Sequence, residues 1–362
     1  MKTPTDAEVR EALAAFALPG KLTGLRPLKR GHIHDTFVSE WNDGGTPRAF
    51  IHQRMNQEVF PDLDLLMANI RRVSEHLIGK QGAGGGNGFE PLQLVRTALG
   101  ENHATTTSGA WRTFVFIRDT SSHDRCSGPD QAFEAARAFG WFQAQLRDLP
   151  AGELGETLPR FFSTPHRFEQ FRDALATAGE ERKSLARDEI AFVLERADMV
   201  GVIESRLESG ALPRRVVHGD TKLNNILFDE ESGKARGIVD LDTCMAGYSL
   251  YDFGDLVRFT AATSSEDEPD LQRVGTDVEL YHALAEGYLS MARDFLTPEE
   301  VALMPFSARL VTFTIGLRFL TDHLTGDVYF KVHRPRHNLD RARVQFAMVR
   351  YMERHQAVMS VA

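Results

Sequence analysis

The spacing of hydrophobic residues predicts two kinds of structure in the first third of the chain. Residues 5–18 and 62–78 have apolar side chains at helical spacing. Between them, residues 22–53 contain short strand-like runs around Asn42-Asp43-Gly44-Gly45, a sequence typical of a tight β-hairpin turn. Further short strands are predicted at Leu92–Val95 and Thr113–Ile117. We therefore expect a small antiparallel sheet accompanied by a helix.

The pattern becomes mainly helical from about Gln131 onward, with one β-rich interruption over Val216–Asp242. A sheet region followed by a larger helical region predicts an α+β fold. A length of 362 residues suits two structural units. We place the first lobe at residues 1–116 and the second at residues 117–362.

Composition and charge exclude several classes of protein. The chain has 42 Lys and Arg against 51 Asp and Glu, a net charge of −9, which argues against a general nucleic-acid binder. Two cysteines are too few for a disulfide framework or a thiolate zinc site. The N-terminus is polar, and the apolar runs are shorter than the roughly 20 residues that span a bilayer. We expect a cytoplasmic protein with no membrane partner.

The segment Val216–Phe228 has the residues that phosphoryl transfer requires. Asp220 is followed five positions later by Asn225, and Asp240 comes 20 positions after Asp220, at the end of an apolar strand. An aspartate orients the proton of an acceptor hydroxyl, whereas amide and carboxylate oxygens are ligands for Mg²⁺. Their order and spacing after a β-rich first lobe predict a kinase with a nucleotide-bound Mg²⁺ at Asn225 and Asp240.

These motifs resemble the aminoglycoside phosphotransferase and choline kinase superfamily, whose fold is similar to that of protein kinases. Within it the chain most resembles the N-acetylhexosamine 1-kinases, over nearly its whole length. The segments that carry the resemblance are Gly31-His32-Ile33, Met55-Asn56, Phe60-Pro61-Asp62, Thr164–Phe168, Asp220–Phe228, Ile238–Thr243, Gly316–Leu320 and Gly326–Phe330. The resemblance implies a bilobal fold, with a nucleotide-binding first lobe and a catalytic and substrate-binding second lobe, and it implies the use of ATP and Mg²⁺.

The resemblance also implies roles for the residues of the catalytic segments. Asp220 is the catalytic base or hydroxyl-positioning group, and Asn225 and Asp240 hold Mg²⁺. Asp242 supports the site, and His218 braces the catalytic loop. The later Asp252-Phe253-Gly254 reads like the metal motif of protein kinases, but it lies 32 residues beyond Asp220 and is expected to be structural.

The nucleotide-binding residues are expected in the first lobe. Gly31 permits a tight turn over the nucleotide. Gln53 occupies the third-strand position where protein kinases have the lysine that grips the phosphates, a departure from the kinase pattern. His34 replaces an asparagine that is common in the resembling family. Phe116 and Ile117 belong to the hinge that binds adenine through its backbone.

The acceptor is expected to be an uncharged sugar. Residues 301–362 contain nine Lys and Arg against four acids, which is unfavourable for a cationic substrate. His32, Arg318 and Tyr329 are the candidate contacts, together with Asp220. The resemblance implies phosphorylation of the anomeric hydroxyl of GlcNAc or GalNAc.

Two alternatives remain open from the sequence. One is a kinase of another small hydroxyl acceptor, such as an aminoglycoside, choline, homoserine or another sugar. The other is a nucleotide-binding pseudokinase, which the absence of lysine at position 53 would suit. The sequence does not indicate an oligomeric state.

Overall fold

The computed structural model describes residues 3–28, 33–81 and 88–360. The first lobe contains two helices, α1 (Asp6–Ala14) and α2 (Leu63–Gln81). Its strands are β1 (Lys21–Pro27), β2 (Asp35–Asp43), β3 (Thr46–Arg54), β4 (Leu94–Val95), β5 (Ala104–Thr106) and β6 (Gly109–Val115). They form one antiparallel sheet in the order β1-β2-β3-β6-β4, and β5 pairs with β6.

The predicted hairpin joins β2 to β3. Asp43 pairs with Thr46, and the two glycines between them have positive φ angles of 58° and 98°. The Asn42 side-chain oxygen accepts a hydrogen bond from the backbone N–H of Gly45 at 2.7 Å. The turn therefore has the residue types that its backbone requires, which fixes the register of the two strands.

Some predicted boundaries in the first lobe are wrong. The first helix ends at Ala14, because the chain then pairs with a neighbouring segment: Phe16 bridges to Thr97, and the Ala17 N–H donates to the Arg96 carbonyl. The strand predicted at Thr113–Ile117 is displaced to Gly109–Val115, and the strand at Leu92–Val95 is only Leu94–Val95.

The second lobe is mainly helical, as predicted. Its helices are α3 (Pro129–Leu146), α4 (Thr164–Thr177), α5 (Glu180–Leu185), α6 (Arg187–Leu194), α7 (Val202–Glu208), α8 (Ser249–Thr260), α9 (Val278–Ala292), α10 (Pro298–Thr325) and α11 (His337–Arg354). Its strands are β7 (Thr120–Ser121), β8 (Arg215–Val217), β9 (Ile226–Asp229), β10 (Ala235–Ile238) and β11 (Met245–Gly247). They form two small antiparallel sheets, β10-β9-β7 and β11-β8, so the predicted β-rich interruption is confirmed.

Helix α10 is the long central element of the second lobe. A capping box starts it, in which the Thr297 side chain accepts from the Glu300 N–H and the Glu300 carboxylate accepts from the Thr297 N–H. By length and composition alone this helix could cross a membrane, but 67% of its most apolar window is buried inside the fold. The core helix of a soluble protein passes the same test.

One hydrophobic core extends from the first lobe into the second. It includes Phe60 and Phe114 of the first lobe as well as Phe142 and Phe228 of the second. A smaller core around Trp111 lies between α1 and the opposite face of the sheet. The lobes therefore share a continuous apolar interior, and the catalytic segments lie where they meet.

Candidate active site

A buried carboxylate holds the backbone of the catalytic loop that follows β8. Asp252 in α8 accepts hydrogen bonds from the backbone N–H groups of His218 and Gly219, both at 2.8 Å, and from the Gln143 side chain at 2.7 Å. Its own carbonyl accepts a hydrogen bond from the Thr221 hydroxyl at 2.6 Å. Asp252 is 0% exposed, so in this structure the Asp-Phe-Gly aspartate contacts the loop and no solvent.

Gly219 is required by the shape of this loop. Its φ is 80°, and a Cβ atom there would lie 2.7 Å from Phe162 and 2.9 Å from the Thr243 carbonyl oxygen. A side chain at this position would both strain the backbone and collide with the Phe162 ring and the Thr243 carbonyl oxygen. The sharp turn sets Asp220 at the mouth of the site, with its side chain 22% exposed.

Asp220 is flanked by a lysine and an amide. Lys222 Nζ lies 2.6 Å from Oδ1 and 3.0 Å from Oδ2 of Asp220. The Asn225 side-chain amide donates to Oδ2 at 3.0 Å and to the Asp220 carbonyl at 2.9 Å. Although burial lowers the pKa of Lys222, the charges of Asp220, Asp255 and Asp240 outweigh it and raise the pKa above its ordinary value. A protonated lysine therefore stands beside the proposed catalytic aspartate.

Sequence reasoning did not select Lys222. Its position two residues after Asp220 in the catalytic segment was the available signal, but a charged residue in a loop is usually solvated. Here Lys222 lies over the ring of Phe259 at 5.3 Å and is directed back toward Asp220.

Asp240 follows β10 in a strained conformation. Its φ and ψ are 64° and 60°, a left-handed conformation that costs energy for a residue with a Cβ. The N–H of Val239, the preceding residue, donates to the Asn225 carbonyl at 2.9 Å. This bond ties together the two segments that present Asn225 and Asp240, the pair expected to hold the metal.

The surroundings of Asp240 disfavour its ionisation. Burial, and then the negative charges of Asp242 and Asp220, raise the pKa of Asp240 to about 7. Among the described residues no hydrogen-bond donor reaches its carboxylate. A cation would relieve this repulsion, and Mg²⁺ prefers such oxygen ligands. Because the Asn225 amide N–H groups point toward Asp220, its side-chain oxygen is left for a cation, so these two residues fit Mg²⁺.

Asp242 connects the two lobes. Its carboxylate is bound by His34 Nε2 at 2.6 Å and by both terminal nitrogens of Arg112, at 2.5 and 3.1 Å. Burial alone would raise the pKa of Asp242, but Arg112 and His34 outweigh it and hold the pKa well below its usual range. The Arg112 Nε–H donates to the Gln53 side-chain oxygen at 2.8 Å. Sequence reasoning identified Gln53 and Asp242 but missed Arg112, a single charge in an apolar strand.

The expected nucleotide contacts are only partly described. Gly31 and His32 lie outside the described residues. At the hinge, the Phe116 N–H donates to the Ala49 carbonyl at 3.0 Å and is therefore occupied within the sheet. The Ile117 N–H has no partner among the described residues, which leaves it for a ligand. Binding of adenine by either residue stays a prediction.

Arg318 and Tyr329 line a cavity of about 470 Å³ between α4 and the segment after α10. Arg318 Nη2 lies 3.5 Å from the Tyr329 hydroxyl, and its guanidinium lies 5.5 Å from the Phe161 ring. Phe162, the next residue, contacts Gly219 of the catalytic loop. Asp322 orders the segment with Tyr329 by accepting from the backbone N–H groups of residues 328, 329 and 330.

A second arginine, Arg167, lines the same cavity. Its Nε is buried and has no hydrogen-bond partner in the described part of the chain. Burial, and then the nearby positive charge of Arg318, lower the pKa of Arg167 to about 10. Two acidic residues, Asp173 and Asp322, line the cavity as well, and the Asp322 carboxylate is bonded to backbone N–H groups. The repulsion between the two guanidinium groups disfavours an ammonium group beside them.

Comparisons with known proteins agree with this arrangement. Residues 24–292 match the phosphotransferase enzyme family. A microcompartment-associated aminopropanol kinase is 17% identical and matches with a TM-score of 0.58 over 98% of each chain. An aminoglycoside phosphotransferase from Alicyclobacillus acidocaldarius is 14% identical, with a TM-score of 0.59 over 99% of this chain and 96% of that one. A choline kinase from Cryptosporidium parvum is 13% identical, with a TM-score of 0.56 over 92% and 91%. The protein-kinase-like fold is therefore confirmed.

Proposed function

Because the chain belongs to the phosphotransferase enzyme family, we propose that it transfers the γ-phosphoryl group of ATP to the anomeric hydroxyl of an N-acetylhexosamine, GlcNAc or GalNAc. The products are the sugar 1-phosphate and ADP. One observation is the main support for phosphoryl transfer. Where the two lobes meet, Asp220, Asn225 and Asp240 lie close together. We propose a cytoplasmic location, as expected from the sequence.

In the proposed reaction, Asp220 accepts a hydrogen bond from the attacking hydroxyl and takes its proton as the oxygen–phosphorus bond forms. The bond from the γ-phosphorus to the bridging oxygen breaks, and ADP leaves with those electrons. Lys222 holds the Asp220 carboxylate in place and adds positive charge beside the transferred group. Mg²⁺ held by Asn225 and Asp240 would neutralise charge on the phosphates.

The cavity lined by Arg318 and Tyr329 supports a neutral acceptor. The aminopropanol kinase and choline kinase of similar fold act, by their names, on amine-bearing alcohols. Here Arg167 and Arg318 line the cavity and would repel an ammonium group. Of the two carboxylates that also line it, Asp173 is exposed and Asp322 is bonded to backbone N–H groups. Guanidinium and phenol groups instead suit the hydroxyl and amide groups of an acetylated sugar, which Arg318 and Tyr329 would bind.

The direct test is an ADP-release assay over GlcNAc, GalNAc, glucose, choline, homoserine and kanamycin, with phosphorus NMR of the product. We expect turnover with an N-acetylhexosamine and a phosphorus signal coupled to the anomeric proton. Asp220→Asn should lower kcat by about 10²–10⁴-fold and leave ATP affinity nearly unchanged. Preference for an amine would contradict the sugar assignment, and ATP binding without any product would indicate a nucleotide-binding module.

A matched pair of variants on α10 tests the acceptor site. Arg318→Met should raise the KM for the sugar by about 10–100-fold, because a hydrogen bond to a charged group is lost. Arg309→Met removes an arginine from the same helix, where the side chain contacts Gln356 outside the cavity, and should leave the KM unchanged. Equal effects of the two substitutions would argue against a role of Arg318 in acceptor binding.

A further inference from the structure

The strand that holds the phosphate-gripping lysine in protein kinases has glutamine here, so the nucleotide needs another cation. Gln53 lies in β3, and its register partner in the neighbouring strand β6 is Arg112. The two side chains lie on the same face of the sheet, because the Arg112 Nε–H donates to the Gln53 side-chain oxygen at 2.8 Å. The cation therefore stands one strand away from its usual place.

The geometry of Arg112 is that of a fixed guanidinium facing the metal-binding residues. The residue is 1% exposed, and its three nitrogens are each bonded, one to Gln53 and two to Asp242. Asp242 lies two residues from Asp240, so the charge of Arg112 is held close to the proposed Mg²⁺ site. Gln53 and Asp242 therefore fix the rotamer of Arg112 before any ligand binds.

Arg112 still has donors to offer. A guanidinium carries five N–H groups, and the three bonds to Gln53 and Asp242 use one on each nitrogen. Within the described residues the second N–H groups on Nη1 and Nη2 have no acceptor. The parallel pair of N–H groups is used by Asp242, so the two that remain point to different sides of the guanidinium, and each can donate to one phosphate oxygen.

We propose that Arg112 binds the α- and β-phosphates of the nucleotide, that Gln53 orients it, and that Asp242 is its counter-charge. This inference rests on ATP being the phosphoryl donor, but it does not depend on which acceptor is used. It explains how a chain without the third-strand lysine retains a phosphate-binding cation. Lys222, another cation near the site in the described part of the chain, is paired with Asp220 on the acceptor side of the proposed reaction.

The test compares the affinities of ATP, ADP and adenosine by titration calorimetry. Removing Arg112 alone would leave Asp242 buried with only His34, so the primary variant is the charge-neutral Arg112→Gln/Asp242→Asn, compared with Asp242→Asn alone. We expect the double variant to bind ATP and ADP about 10–100-fold more weakly than Asp242→Asn, and adenosine within about twofold. Adenosine lacks phosphates and so reports on the fold of the hinge.

A second variant moves the charge back to the third strand. Gln53→Lys added to Arg112→Gln should recover most of the lost ADP affinity, because Gln53 and Arg112 face the same space. The matched control is Arg54→Gln, which removes a buried arginine of the same sheet that is paired with Asp35 rather than with Asp242. It should lower the melting temperature while leaving ADP affinity unchanged.

Two results would overturn the proposal. One is an unchanged ADP affinity in a folded Arg112 variant. The other is an equal loss of ADP and adenosine affinity, which would give Arg112 a purely structural role. If the wild type binds ATP but phosphorylates none of the acceptors tested, the proposed reaction fails while the Arg112 assignment still stands on these binding data.

Discussion

Three aspartates of the candidate active site have different neighbours. Asp242 faces Arg112 and His34, which hold its pKa low, whereas Asp240 faces Asp242 and Asp220, which together with burial raise its pKa to about 7. Asp252 is also buried, and its oxygens accept backbone N–H groups. Within 13 positions of sequence, aspartate therefore anchors Arg112, braces the catalytic loop and, at Asp240, is the proposed ligand of a cation.

The raised pKa of Asp240 predicts that nucleotide binding with Mg²⁺ releases a proton. Below pH 7 the free enzyme holds this proton, and a cation must displace it. We expect release of nearly one proton at pH 6 and very little at pH 8, with Mg·ADP affinity rising about tenfold between them. Calorimetry in buffers of different ionisation enthalpy measures the proton. ADP without Mg²⁺ is the control, and an equal release in that control would contradict the role of Asp240.

The residue chemistry was only partly predictable from sequence. Asp220, Asn225 and Asp240 lie in two short segments, so their spacing exposed them. Arg112 and Asp242 are 130 positions apart. They come together only because β3 pairs with β6 and the two lobes meet. The local spacing of hydrophobic residues along the sequence does not predict a contact of this kind.

Helices α3 and α9 pack at backbone distance, through glycines. A Cβ at Gly287 would lie 2.2 Å from the Phe133 carbonyl oxygen, and one at Gly140 would lie 2.4 Å from the Tyr288 carbonyl oxygen. Glycine costs helix stability of about 1 kcal/mol relative to alanine. Glycine is nevertheless needed at these two positions, because any side chain would separate the helices. Their close packing matters for the site, since α3 positions Gln143 against Asp252.

We therefore expect Gly287→Ala to destabilise the protein by about 1–3 kcal/mol, despite the better helix propensity of alanine. The added methyl group would meet the backbone carbonyl of Phe133, which cannot rotate away as a side chain can. Urea unfolding measures the change. Gly79→Ala in α2 is the matched control, because no described atom outside the adjoining turns of its own helix lies within 4 Å of a Cβ there, and it should leave stability equal or higher. A Gly287→Ala protein as stable as the wild type would show that the helices can separate at little cost.

Elements with long, regular patterns were predictable, and the shortest were not. The periodic segment 62–78 became α2, and the turn glycines at 44 and 45 located the hairpin. Strands β7 and β11 have two and three residues, too few to display a period. The predicted first helix is too long at its C-terminal end. Phe16 and Leu18 continue the helical spacing of apolar residues, but the chain has left the helix there and Phe16 bridges to Thr97.

At the scale of the whole molecule, the two lobes are joined by both apolar and charged contacts. The main core continues across the proposed boundary after residue 116. His34 and Arg112 of the first lobe bind Asp242 of the second. We propose that residues 1–116 and 117–362 are lobes of one cooperative unit.

Calorimetric melting tests this proposal. We expect a single transition whose calorimetric and van't Hoff enthalpies agree, because the main core is shared by the two lobes and unfolding of one would expose apolar surface of the other. Mg·ADP at about 100 times its Kd should stabilise that transition by about 2.7 kcal/mol without dividing it. Two resolved transitions, with only the first shifted by nucleotide, would mean that the lobes unfold independently.

The backbone brace formed by Asp252 has a consequence for genetics. In a mutational scan scored by growth or turnover, substitutions at Asp252 would be as damaging as those at Asp220 and Asp240, and its Asp-Phe-Gly context would invite assignment as the metal ligand. The difference lies in the tolerance of neighbouring positions. Changes at Gln143 should aggravate or relieve a defect at Asp252, because the two side chains are bonded, and should do neither at Asp240. Paired genotypes can therefore separate a scaffold aspartate from a chemical one without any structure.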